Sequence, residues 1–520
     1  MTTSRAKPRV KTSAGPDILA HLPLERGARI PLHRQIYDGI RGAILAGSIR
    51  AGQRVPSTRT LAVELHVSRL SVLTAYDQLL HEGYLEGRVG SGTFVSAALP
   101  DDAMRSVPWP RRNAASPSIQ RPTHATSEKR AGLKQHEKRR SDGGLRPFRV
   151  SLPALDAFPH AAWARLVARH ARAMSPAQMA YGNPAGLGVL RSAIAEHLRT
   201  ARAVRCEAEQ VLIVSGSQAA LRICAAVLLK RGESVAVEEP GYAGARAALA
   251  TSGADVAPIA VDDDGIDVGA LAALRRRPRA VYVTPSHQYP LGASMSATRR
   301  LALLDWADRQ GAWIIEDDYD SEYRYVSRPL GALQGMDAHG RVVYVGTFSK
   351  VLFPALRIGY LVVPPTLWTE FMDAREAFDL FSPTLYQLAL ADFLREGHFA
   401  RHLRRMRTRY LSRRKALLAG LNRHCAGLLT IHNADAGLHI ATLLPPDVDD
   451  VAVVNRMTER GLAATALSTC YAESKRRSGL LLGFGGSNER RIAEATGILG
   501  EVLREFRGRA KPRAASGDGK

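Results

Sequence analysis

The chain has 520 residues, 45% of them hydrophobic, and a net charge of +23. That length predicts two or more domains. The charge predicts a polyanionic partner, with nucleic acid as the first candidate. No apolar run reaches the ~20 residues of a membrane span, and residues 1–8 are polar and basic, without the apolar centre of a signal peptide. The four cysteines, Cys206, Cys224, Cys425 and Cys470, lack CxxC spacing. This excludes a disulfide framework or a cysteine metal site and fits reduced core residues of a cytoplasmic protein.

Residues 1–28 read as a disordered N-terminus. From Pro31, Leu32, Ile36, Ile40, Ile44 and Leu45 recur at helical spacing and predict one apolar face, which Gly47 ends. Ser57 is the expected N-cap of a second helix running to about His66, and Ser68 that of a third from Arg69 to His81. Leu70, Leu73, Tyr76 and Leu80 are expected on the inner side of the third helix. Residues 83–95 read as two short strands around the glycine-rich turn at Gly90-Ser91-Gly92. Two short helices joined tightly and followed by a basic hairpin predict an α+β winged helix-turn-helix over residues 29–96, with the third helix in the DNA major groove. Arg54, Arg59, Arg69 and Arg88, with the cap hydroxyls of Ser57 and Ser68, make up the expected DNA-contacting set.

Val55-Pro56-Ser57-Thr58-Arg59-Thr60-Leu61-Ala62, Val67-Ser68-Arg69, Ala75-Tyr76, and Glu82-Gly83-Tyr84-Leu85 with Gly90 through Val95 resemble the DNA-binding domain of the GntR family of bacterial repressors and activators. The third helix departs from that family in reading Leu70-Ser71 where a polar residue and Thr are common. The resemblance implies double-stranded operator DNA as a partner but gives no operator sequence.

Residues 97–147 carry Pro108, Pro110, Pro117, Pro122 and the run Lys138-Arg139-Arg140, with no apolar periodicity. They predict a flexible basic linker with a root-mean-square reach of roughly 35–45 Å. From 148 to 507 strand-like and helical segments alternate. Strands are expected at 211–214, 234–237, 280–283, 313–315, 342–345 and 360–363, giving a helix-covered, mostly parallel α/β sheet. From about Ser382, long helices lead into a small C-terminal α+β subdomain with strands near 437–444 and 479–484. Residues 508–520 form a basic tail.

Chemistry-bearing residues cluster where these strands end, the usual ligand crevice of an open α/β sheet. Ser215-Gly216-Ser217-Gln218 opens a helix and suits a phosphate. Tyr242 offers a ring to stack on a planar cofactor. His287 or Gln288, in the loop from Thr284 to Gly292, is expected to face that cofactor. In Glu316-Asp317-Asp318-Tyr319-Asp320 a carboxylate can hold a pyridine nitrogen protonated, and Tyr319 can donate to a phenolate oxygen. Thr347, Ser349 and Arg357 suit a phosphate beside Lys350, whose amine can form a Schiff base with pyridoxal 5'-phosphate.

Together these loops resemble the fold-type I aminotransferase (class I/II) domain in the order and spacing of Tyr242, Asp317, Tyr319, Lys350 and Arg357. The resemblance implies an aldimine on Lys350, Asp317 at the pyridine nitrogen, Tyr319 at the phenolate oxygen and Tyr242 on the ring. Ser217, Gln218, Thr347 and Arg357 would bind phosphate. Tyr181 would reach the partner subunit of a homodimer. A GntR head on such a domain is similar to the MocR subfamily of regulators, which implies a transcriptional regulator sensing an amino compound or pyridoxal phosphate itself; an active aminotransferase with a DNA-binding head is the alternative. One departure favours regulation. The motif Gly479-Leu480-Leu481-Leu482-Gly483-Phe484 lacks the arginine that aminotransferases use for the substrate carboxylate, though Arg476 and Arg477 lie just upstream. Gly244 likewise offers no side chain for an effector anion.

Overall fold

A computed structural model describes residues 22, 24–27, 30–88, 90–97, 145–325, 331–432, 435–472 and 476–507. The chain forms two compact units, Met1–His124 and Ala125–Lys520. The expected disordered N-terminus, basic linker and C-terminal tail fall almost wholly outside the described residues.

In the first unit, α1 (Leu32–Leu45), α2 (Thr58–Glu64) and α3 (Arg69–His81) precede β1 (Leu85–Arg88) and β2 (Gly92–Val95). Ser57 Oγ accepts from the Thr60 amide at 3.1 Å and Ser68 Oγ from the Ser71 amide at 3.2 Å, so both helices begin at the expected caps. Each such cap is worth about 1 kcal/mol. β1 and β2 pair antiparallel, Leu85 opposite Val95 and Arg88 opposite Gly92. Two expectations need correction. Leu45 is exposed, and α3 faces the core with Val72, Ala75, Tyr76 and Leu79 while Leu70, Leu73 and Leu80 lie outside. Both sets on α3 recur at helical spacing, so periodicity alone could not choose between them. The face carrying Val72, Ala75, Tyr76 and Leu79 enters a core shared with α1 and α2.

The second unit is built on an eight-stranded sheet. Its strands are β3 (Val211–Val214), β4 (Ser234–Glu239), β5 (Asp255–Asp262), β6 (Gly265–Ile266), β7 (Ala280–Val283), β8 (Trp313–Asp318), β9 (Val342–Thr347) and β10 (Gly359–Val362). Their order is β3-β10-β9-β8-β7-β4-β5-β6. β5, β4, β7, β8 and β9 run parallel, β10 is antiparallel to both neighbours, and β6 folds back on β5. Every residue of β3, β7, β8, β9 and β10 is buried, as a sheet covered on both faces requires. The helix Ser217–Leu228 covers one face with Ala220, Leu221 and Cys224 against Val214, Tyr282, Ile315 and Val345. The helix Ala297–Gln310 covers the other with Leu303, Trp306 and Ala307.

The six expected strands are all present. β4, β8 and β9 run two or three residues past the apolar stretches that predict them, which brings Asp317 and Thr347 into the ladder. The β5–β6 hairpin was not expected: β5 lies toward the sheet edge with a mixed burial pattern. Beyond it, the helices Thr384–Arg395 and His398–His424 lead into the smaller antiparallel sheet of β11 (Thr430–His432), β12 (His439–Leu443), β13 (Thr465–Ala466) and β14 (Gly479–Gly483), ordered β11-β12-β14-β13. Among the described residues no helix is long and apolar enough to cross a membrane, and no cluster of potential metal ligands occurs. The four cysteines are free and buried.

Candidate functional site

Asp317 lies near the carboxyl end of β8, opposite Val345 of β9. Tyr282 of β7 pairs with Ile315, two residues before Asp317, so all three side chains share one face. Asp317 is 4% exposed, and its Oδ2 accepts from the Tyr282 hydroxyl at 2.8 Å. Its Oδ1 is buried and accepts no hydrogen bond among the described residues. Burial pushes this carboxyl up to about 7, against the Tyr282 hydroxyl and the nearby charge of Lys350, which pull it down. A buried carboxylate oxygen lacking a donor is expensive. The arrangement suits a ligand that brings its own N–H, best of all a cationic one. Lys350 stands three residues past the end of β9, half-buried, its Nζ donating to the Ser151 carbonyl at 3.3 Å.

At the neighbouring strand end, Gly216 caps the helix Ser217–Leu228 with φ +89°. Arg357, in the left-handed region at φ +54°, donates to the Ser215 carbonyl at 2.5 Å. A Cβ on Gly216 would stand 3.2 Å from Arg357 Nη1, and one on Gly359 3.0 Å from Gly216 Cα. The two backbones and the guanidinium therefore meet only because both positions are glycine. Helix dipole, backbone N–H groups and Arg357 together form an anion cradle. Gln218 Nε2 donates to the Tyr242 hydroxyl at 3.2 Å, tying the cradle to that ring. Thr347 Oγ1 accepts from the Ser349 amide at 3.1 Å. The donor set thus fits pyridoxal phosphate at both ends: an orphaned carboxylate oxygen for the ring nitrogen and a cradle for the phosphate.

The rings of Tyr242 and Tyr289 meet edge to face at 5.8 Å, and those of Tyr289 and Tyr319 at 6.1 Å. His287 and Gln288 separate in role. His287 Nδ1 lies 3.0 Å from the Tyr319 hydroxyl and 3.0 Å from Asp320 Oδ1. Gln288 instead holds its own loop, donating to the Pro240 carbonyl at 2.9 Å and accepting from the Leu291 amide at 3.0 Å. Buried Glu238, pushed up to about 7 by desolvation, accepts from the Thr284 hydroxyl at 2.6 Å beside it. A Cβ on Gly244 would stand 2.5 Å from Cζ of the Tyr242 ring, so a side chain there would require that ring to shift. On β14, Leu480, Leu481 and Leu482 are buried, Leu481 against Leu291, Ala441 and Leu467. Arg476 and Arg477 are exposed. Tyr181 is 85% exposed, its ring edge-on to Phe381 at 6.1 Å.

Sequence reasoning missed Tyr282 and the Ser151 carbonyl, and did not foresee the contact of Asp320 with His287. Tyr282 hides in an apolar run, and only strand order and register show that it reaches Asp317. Ser151 lies some 200 residues from Lys350 in sequence, and no spacing signals that contact.

In the first unit Arg54, Arg59 and Arg69 are exposed. Arg54 bridges to Phe94 and lies against Gly92, where a Cβ would meet its Nε at 2.9 Å. Arg88 stacks on Phe94 at 4.6 Å and pairs with Glu86 at 2.7 Å. Such an exposed pair is worth at most about 1 kcal/mol. The hydroxyls of Ser57 and Ser68 are taken up as caps and orient the starts of α2 and α3. Residues 30–97 contain seven arginines and no lysine.

Residues 32–95 match the family model of bacterial regulatory proteins, gntR family, and residues 154–481 that of aminotransferase class I and II. The chain is 42% identical to the probable rhizopine catabolism regulatory protein MocR of Rhizobium meliloti, over 92% of this chain and 95% of that one. It is 33% identical to the pyridoxine biosynthesis transcriptional regulator PdxR of Corynebacterium glutamicum, over 91% and 96%. Among solved structures it resembles the α-aminoadipate aminotransferase LysN of Thermus thermophilus, complexed with N-(5'-phosphopyridoxyl)-L-leucine. That match has 28% identity and a TM-score of 0.67, and covers 74% of this chain and all of the other.

Proposed function

Since this chain belongs to the MocR subfamily of GntR-type transcriptional regulators, a winged helix-turn-helix joined to an aminotransferase class I/II domain, we propose that it binds operator DNA under the control of pyridoxal 5'-phosphate held at Lys350. The ligand it senses is the cofactor itself or an amino compound that reacts with it. The observation that carries this reading is Asp317 Oδ1, buried without a donor on the strand next to the one leading into Lys350. When bound, the cofactor supplies an aldehyde for amines and an electron-withdrawing ring.

The chain's own residues then have definite tasks. Asp317 accepts from the ring nitrogen and keeps it protonated. Ser217, Gln218, Thr347 and Arg357 hold the phosphate, Tyr242 stacks on the ring, and Tyr319 donates to the phenolate oxygen. Tyr181 reaches the partner's site in a homodimer, a reading supported by the exposed apolar side chains Met179, Phe378 and Leu380 near it in sequence or beside Phe381. In the DNA-binding unit, Arg69 at the start of α3 contacts base edges, while Arg54, Arg59 and Arg88 meet phosphates. The leucines of β14 favour sensing over turnover, because no arginine of that strand is available to fix a substrate carboxylate.

A typical coupling of about 1–3 kcal/mol between the two sites corresponds to a change in operator affinity of roughly 5- to 150-fold. The test compares operator affinity at one salt concentration, with and without pyridoxal phosphate and a panel of amino compounds, for the native chain and Lys350→Ala. A ligand-dependent change that the variant lacks supports the proposal. Equal affinities throughout, together with many turnovers per site when 2-oxoglutarate is supplied, would favour the aminotransferase reading.

A further inference from the structure

We infer that Asp320 fixes a proton on His287 Nδ1, so that the hydroxyl of Tyr319 is left to donate toward the cofactor. Asp320 and His287 thereby act as positioning residues for Tyr319. The inference rests on the proposal that pyridoxal phosphate binds at Lys350.

The argument starts from one atom with two neighbours. His287 Nδ1 is 3.0 Å from Asp320 Oδ1 and 3.0 Å from the Tyr319 hydroxyl, and both His287 and Asp320 are buried. An imidazole nitrogen carries either a proton or a lone pair. If Nδ1 carried the lone pair, Tyr319 would donate its only proton into it and Asp320 Oδ1 would face a second acceptor. Asp320 Oδ2 is already buried without a partner among the described residues, so the whole carboxylate would then lack a donor. With the proton on Nδ1, Asp320 is served and the proton of Tyr319 must point elsewhere. The neutral Nδ1–H tautomer and the imidazolium both place it there, so the result does not depend on the charge of the ring.

The surroundings support this. The His439 ring lies 5.3 Å from His287, and its Nε2 is bonded to the Pro290 carbonyl at 3.1 Å. Burial and the neighbouring His287 push His439 down to about 4, so it is neutral and adds no competing charge. The other charged groups acting on this cluster are Asp317 and Glu238, which face Tyr319, Glu322 and Arg324, which face Asp320, and Lys350. Gly437, at φ +74°, closes over the pair: a Cβ there would come within 2.1 Å of His287 Cε1 and 2.6 Å of Asp320 Oδ2. Its carbonyl accepts from the Tyr325 hydroxyl at 2.7 Å, which holds this backbone in place.

A tyrosine proton donated to the cofactor's phenolate oxygen matters most when the Lys350-linked nitrogen has lost its own proton, since that proton otherwise serves the same oxygen. Withdrawing the tyrosine donor should therefore raise the pH at which the bound cofactor's visible absorbance titrates. The experiment measures that midpoint in the full-length protein loaded with pyridoxal phosphate. Tyr319→Phe should raise it by roughly one unit, a tenfold change in proton affinity. Asp320→Leu, which has no acceptor for Nδ1–H, should shift it the same way by a smaller amount, with Asp320→Ala as the alternate should the leucine fail to fold. Tyr319→Phe/Asp320→Leu should match Tyr319→Phe alone. His287→Leu/Asp320→Leu should return to the native midpoint, because Tyr319 then has no ring nitrogen to donate to. A native-like midpoint in the Asp320 variants, or additive shifts in the double variant, would overturn the inference while leaving the cofactor in place. Absence of a visible band in the native protein would overturn the cofactor reading and this inference with it.

Discussion

Replacing Asp317 with Asn should move two properties of the protein in opposite directions. Burial lifts this carboxyl from an ordinary value of 3.8 to about 7, and at about 1.4 kcal/mol per unit this is about 4 kcal/mol that the ionised group takes from the cofactor-free fold. The sign follows from linkage. The folded chain keeps its proton where the unfolded chain has released it, so this contribution is intact below the ordinary carboxylate range and is lost as pH rises toward 7. Asn is neutral, of similar size, and still accepts from the Tyr282 hydroxyl. Without cofactor, Asp317→Asn should thus be more stable than the native protein at pH 8, by up to about 4 kcal/mol, with the gap narrowing at pH 5. It also loses a charge-assisted hydrogen bond to the ring nitrogen, worth about 1.5–3 kcal/mol, so pyridoxal phosphate should bind roughly 10- to 150-fold more weakly. Denaturant unfolding at the two pH values and a spectrophotometric titration with pyridoxal phosphate read both effects. A variant less stable at pH 8, or one that binds the cofactor as tightly as the native chain, would refute the reasoning.

Gly216→Ala places a Cβ at φ +89° and 3.2 Å from Arg357, so it should cost about 1 kcal/mol or more of stability and weaken cofactor binding; an unchanged affinity would remove Gly216 from the cradle. Arg69→Ala should weaken operator binding by about 1–3 kcal/mol, measured by competition against unrelated DNA, whereas equal loss on both DNAs would make Arg69 a phosphate contact. On α3, Leu79→Ala should destabilise the winged helix by about 2–5 kcal/mol while Leu70→Ala stays within about 0.5 kcal/mol. The reverse order in thermal unfolding would restore the face expected from sequence.

The sequence made the strand-end loops legible because each couples an apolar run to a turn carrying polar groups, as at Val342 through Lys350. It also placed the caps at Ser57 and Ser68, whose role depends on local geometry alone. The inner face of α3 was not legible, because leucines at 70, 73 and 80 repeat as regularly as Val72, Ala75, Tyr76 and Leu79. Only packing into the core shared with α1, α2 and β1 breaks that tie. Contacts that join distant segments were equally hidden: Tyr282 to Asp317 depends on strand order, and Gly437 over His287 on the closure of the small sheet onto the large one. His287 and Gln288 were indistinguishable in sequence, and their separation rests on which one points toward Asp320.

The most direct test is to reduce the pyridoxal phosphate-loaded protein with borohydride and locate the modified lysine by peptide mass spectrometry. The account predicts a single phosphopyridoxyl group on Lys350, absent from Lys350→Ala. Labelling elsewhere in the chain, or none at all, would contradict it.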